Sequence, residues 1–81
     1  MYLTFKVTRQ HLRCDGCPVQ RALEEIGLDR VSVFSYTTCY SHNRSIFRAE
    51  NTAKLVRYLD AYDSGRCMLP TKFRLNFKQT N

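Results

Sequence analysis

Phe73, Leu75 and Phe77 alternate with Lys72, Arg74, Asn76 and Lys78, so the apolar side chains of this segment share one face and the bases the other. Alternation with period two marks a strand that is buried on one side and wet on the other. Slipping such a strand by one residue would turn the bases into the core, so its register is tightly specified. The whole chain has only 81 residues with which to supply that core. A chain of this size buries about 60% of the surface it exposes when unfolded, which fits one small domain spanning residues 1–81.

The other elements follow from similar patterns. Leu3, Phe5 and Val7 alternate with Thr4, Lys6 and Thr8, giving a first strand. His11 to Gly16 reads as a polar loop. Pro18 suits the first turn of a helix, Val19, Ala22, Leu23 and Ile26 follow on one helical face, and Gly27 sits where a left-handed cap is needed. Val31 to Tyr40 is rich in β-branched and aromatic residues and reads as a second strand. Ser41 to Arg44 is a turn, and Ser45 to Ala49 a third strand in hairpin with the second. Asn51 or Thr52 caps a second helix carrying Leu55, Val56, Leu59 and Tyr62 on one side. Ser64-Gly65 ends it, with Asp60 and Asp63 in the last turns, where the helix dipole disfavours them. Pro70 then breaks the chain before the final strand, and Lys78 to Asn81 reads as a disordered tail. The order β-α-β-β-α-β predicts an α+β, ferredoxin-like fold: one antiparallel sheet with two helices on one face and the other face open.

Charge suggests what that open face does. Thirteen Lys and Arg against seven Asp and Glu give +6, and after Asp63 there is no acid. If the apolar alternates point to the helices, Lys6, Lys72, Arg74 and Lys78 gather on the open face, with Phe34, Tyr36 and Phe47 across the hairpin. Bases that hold phosphates and rings that stack on nucleobases are the common means of binding single-stranded nucleic acid. The same patch suits an acidic protein surface or a homodimer interface. The glycine-aromatic signature of the common RNA-recognition module is missing around Phe47.

The four cysteines offer a second constellation. Cys14 and Cys17 form C-x-x-C, and Cys39 and His42 form C-x-x-H about twenty residues on. Together they have the ligand types of a tetrahedral zinc site, and zinc would help so short a chain to fold. The competing reading is that the thiols fill space. A redox role lacks the aromatic-Cys-Gly-Pro-Cys setting. The N-terminal segment has no continuous apolar stretch of the signal-peptide kind, and no run is long enough to span a bilayer. The expectation is a soluble intracellular protein with reduced thiols or metal ligands. No nucleophile elbow, phosphate loop or H-E-x-x-H is present. His11 and His42 have no evident acidic orienter, and Glu24 and Glu25 read as a solvated helix face, so no enzymatic activity is expected.

Cys17-Pro18-Val19-Gln20-Arg21-Ala22-Leu23 with Gly27 and Val31-Ser32-Val33 forms one motif, and Leu55 to Gly65 with Pro70 and Phe73 another. Together they resemble a loose group of very small bacteriophage-encoded proteins. The resemblance implies work in the cytoplasm of an infected bacterium, by binding and modulating a host protein or defence complex. It carries over no site residues.

Overall fold

The computed structural model describes residues 1–13 and 15–80. Among them the elements run β1 (Tyr2–Val7), α1 (Arg9–Arg13), α2 (Pro18–Glu25), β2 (Asp29–Val33), β3 (Thr37–His42), β4 (Ser45–Glu50), α3 (Ala53–Asp63), β5 (Thr71–Asn76) and β6 (Lys78–Gln79). The strands form two antiparallel sheets, β1–β5 and β2–β3–β4–β6. The chain is α+β, but it is not the ferredoxin-like single sheet with two helices that the element order predicts.

Three local events produce the difference. The segment expected as one strand, Val31 to Tyr40, doubles back at Ser35-Tyr36 and becomes the β2–β3 hairpin, closed by Phe34 N–H donating to Thr37 O at 2.8 Å. The loop expected from His11 onward begins instead as the last turn of a short helix, α1. Phe77 then carries the chain from one sheet to the other. Its N–H donates to Met1 O at 2.8 Å, extending the β1–β5 ladder, and the next residue pairs with Arg48 of β4. The free side of β4 is thus occupied by β6, and β5 does not join that sheet. The tail expected to be disordered is ordered as far as Thr80, whose N–H donates to Ile46 O at 2.9 Å; Asn81 lies outside the described residues.

Helix ends follow the sequence closely. Pro18 opens α2, and Gly27, at φ +106°, closes it in a Schellman arrangement in which Leu28 N–H donates to Leu23 O at 3.2 Å. Thr52, rather than Asn51, caps α3, its hydroxyl accepting from Leu55 N–H at 3.2 Å. Asn43 and Arg44 both have positive φ, the requirement of the two-residue turn that joins β3 to β4.

One core joins both sheets. Phe5, Val7, Phe73 and Leu75 from the smaller sheet meet Val19, Ala22 and Leu23 of α2, Leu55, Tyr58 and Leu59 of α3, and Val31, Tyr40 and Ala49 of the larger sheet. Phe77 lies at the junction, almost fully buried and edge-on to Tyr40 with ring centroids 5.0 Å apart. No helix among the described residues is long and apolar enough to cross a membrane.

Candidate functional site

The outer face of β1–β5 is a short basic surface whose geometry follows from the ladder. Met1 and Phe77 exchange both backbone hydrogen bonds, so alternation makes Tyr2–Asn76, Thr4–Arg74 and Lys6–Lys72 the non-hydrogen-bonded pairs. Side chains of such pairs come closest, with Cα atoms about 4.5 Å apart. Two like charges, Lys6 and Lys72, therefore oppose each other, and Arg74 follows on the next row. All three are exposed.

Lys54 of α3 adds a fourth cation. Its ammonium donates to Lys72 O at 2.6 Å and lies 5.2 Å from the centre of the Phe73 ring. Thr4, Thr52, Lys54, Lys72, Phe73 and Arg74 line a hollow of about 500 Å³. Beyond Arg74, a second groove of similar volume is lined by Arg48, Glu50, Asn76, Lys78 and Thr80, with Arg48 and Lys78 paired across β4 and β6. Among the described residues, no carboxylate forms an ion pair with Lys6, Arg48, Lys54, Lys72, Arg74 or Lys78.

The structure puts three of the four bases expected on this face there, Lys6, Lys72 and Arg74, while Lys78 lies on β6 of the other sheet, and it does not gather the three aromatics. Phe47 points inward, half-buried and stacked on Tyr40 at 5.0 Å, and its neighbour Arg48 points outward in its stead. Phe34 and Tyr36 are 59% and 72% exposed, on the β2–β3 hairpin rather than on the basic sheet. Neither Ser35 nor Tyr36 at the tip has positive φ, so this is not a primed turn matched to strand twist. Asn51 holds it instead. Its side-chain amide donates to Phe34 O at 2.8 Å and Ser35 O at 3.3 Å, its backbone N–H donates to Tyr36 O at 2.8 Å, and its side-chain oxygen accepts from the buried Thr38 hydroxyl at 2.7 Å.

The aromatic that does share the basic face is Tyr2, 62% exposed, with the Arg74 guanidinium 4.2 Å from its ring centre. The signal for it was available, because Tyr2 continues the polar alternates of Thr4 and Lys6. Lys54 and Arg48 were not legible in this role, since one depends on how α3 packs and the other on the phase of β4.

The zinc constellation is not gathered among the described residues. Cys17 is the half-buried residue before α2, Cys39 lies mid-strand on β3, and His42 ends that strand, exposed, with its Nε2 3.2 Å from Asn43 Nδ2. Residues three apart on a strand point to opposite faces, which separates Cys39 from His42. No group of three or more His, Cys, Asp or Glu suited to a metal occurs among the described residues, and Cys14 lies outside them.

His11, expected to have no acidic orienter, does have one. Its Nε2 is hydrogen-bonded to Glu25 Oε2, while Nδ1 accepts from Thr8 N–H at 2.9 Å. Thr8 Oγ1 in turn accepts from His11 N–H at 3.4 Å. This is a capping box at the start of α1 with histidine in the position usual for Glu or Gln. Thr8 Oγ1 also lies 3.0 Å from Nδ1, so hydroxyl, imidazole and carboxylate stand in the order of a catalytic triad, with the Thr8 backbone amide sharing Nδ1 and the imidazole bracing α1 against α2.

Comparison with family models, curated proteins and solved structures finds no match.

Proposed function

We propose that this protein is a non-catalytic accessory factor that binds an anionic macromolecule of a bacterial host on the outer face of β1–β5. The observation that carries the reading is the Lys6–Lys72 pair. Like charges directly opposite on a sheet are destabilising. Here the pair occupies the closest cross-strand spacing, with Arg74 and Lys54 nearby and no carboxylate among the described residues in ion-pair contact. A polyanion lying across the face would relieve that repulsion. A net charge of +6 would also steer association toward acidic surfaces.

The test is binding of fluorescent oligonucleotides across a salt series by anisotropy, with inorganic polyphosphate and polyglutamate as competitors. The expected result is binding that weakens linearly in log salt and is lost in the Lys72→Glu, Arg74→Glu double variant with its circular dichroism unchanged. If none of the polyanions binds at low salt, the proposal fails.

A further inference from the structure

We propose that the anion held on this face is single-stranded nucleic acid, with one base stacked on the Tyr2–Arg74 pair and the flanking phosphates on Lys6, Lys54 and Lys72 at one end and on Arg48 and Lys78 at the other. This deepens the reading above and rests on it.

The argument begins with Tyr2. An aromatic ring that is 62% exposed, in a chain with so little core, has not been used for folding. The Arg74 guanidinium, 4.2 Å from its centre, fixes the ring's orientation and adds positive charge beside it. The result is a preorganised planar platform set among bases. Bases stack on such platforms whatever their identity, because every nucleobase has a π-face.

The spacing also suits a strand. Successive rows of outward side chains on β1–β5 are two residues apart, about 6.6–6.8 Å. The run from the Lys6–Lys72 row through Thr4–Arg74 to Tyr2–Asn76 is therefore roughly 13 Å. Nucleotides rise about 3.4 Å each along a strand when stacked and lie further apart when bases are splayed out, so the face holds at most about four. Cations lie at one end, the ring at the other, and the groove of Arg48, Glu50, Asn76, Lys78 and Thr80, with two cations to one carboxylate, continues the path. A duplex cannot use the ring, since its bases are already stacked on one another. Inorganic polyphosphate and an acidic protein can use the cations but leave the ring idle.

The experiment compares a labelled oligothymidylate with a duplex of the same length by anisotropy, and uses polyphosphate and polyglutamate as competitors. These are run on the intact protein and on Tyr2→Ala and Tyr2→Phe. Both changes are at an exposed position and should leave the fold intact, which circular dichroism checks. The single strand is expected to bind more tightly than the duplex. Tyr2→Ala should weaken the single strand roughly tenfold while the apparent affinity of polyphosphate stays the same, and Tyr2→Phe should bind like the parent. Equal binding by Tyr2→Ala and the parent, or tighter binding of duplex or polyglutamate, would overturn the inference while leaving anion binding standing. Absence of binding to all four probes would overturn both.

Discussion

Lys6 and Lys72 face each other at a non-hydrogen-bonded position of the β1–β5 ladder, the point where two strands bring their side chains closest. If the pair is kept for binding, it opposes stability. Lys6→Glu turns it into an opposite-charge pair. That variant should be more stable than the parent at low salt, by about 0.2–1 kcal/mol, and should bind polyanions more weakly. Thermal unfolding followed by circular dichroism, alongside anisotropy, reads both effects. A loss of stability in Lys6→Glu would mean that Lys6 has a structural role and that the repulsion argument is wrong.

Asn51 governs the hairpin tip, and its removal should be felt at a distance from the basic face. Asn51→Ala leaves the Thr38 hydroxyl, which is fully buried, without its acceptor and releases the carbonyls of Phe34 and Ser35. A buried polar group left unpaired costs about 1–3 kcal/mol. Urea unfolding should show a loss in that range, and amide exchange should quicken at Phe34, whose N–H closes the turn. Polyanion affinity should be unchanged. A drop in affinity would bring the tip into the binding surface.

His11 allows the capping box to be separated from the contact to α2. His11→Ala removes both, and loss of a helix cap costs about 0.5–2 kcal/mol. His11→Gln restores the side-chain acceptor normally found at this position of the box but gives up the imidazole contact to Glu25. Chemical denaturation should therefore rank the parent above Gln and Gln above Ala. Equal losses in the two variants would show that the Glu25 contact alone matters.

The local signals in the sequence proved more dependable than the topology drawn from them. Pro18, Gly27 and Thr52 act through backbone geometry within a few residues, and each acts where its chemistry predicts. The alternation of Phe73 and Leu75 gave the face of β5 correctly, because a one-residue slip would bury Lys72 and Arg74. The ten residues from Val31 to Tyr40 misled, because β-branched and aromatic content does not reveal a reversal. Ser35-Tyr36 carries no Gly, Pro or Asn, and the group that stabilises the reversal, Asn51, lies sixteen residues beyond Ser35. The phase of β4 was undecidable for the same kind of reason. Ile46 and Phe47 are both apolar, and only the stack of Phe47 on Tyr40 settles which one faces the core. The His11–Glu25 contact joins two helices, one of them unexpected, and no spacing rule could supply it.

Tyr40 and Tyr58 make stability sensitive to alkali. Burial raises both phenols above their ordinary value of 10.0, and for Tyr58 a hydrogen bond with Thr71 offsets part of the rise. The folded state therefore keeps these protons at a pH where the unfolded chain has released them. Stability is complete below the unfolded value and falls as pH climbs past about 10 toward the raised folded values. Tyr40 and Tyr58 should develop tyrosinate absorbance only as the protein unfolds. Tyr40→Phe keeps the ring that stacks on Phe47 and meets Phe77 but removes one of the two sensitive groups. Its urea midpoint should match the parent near neutrality and decline less steeply in alkali. An alkaline limb as steep as the parent's would assign the sensitivity to Tyr58 alone.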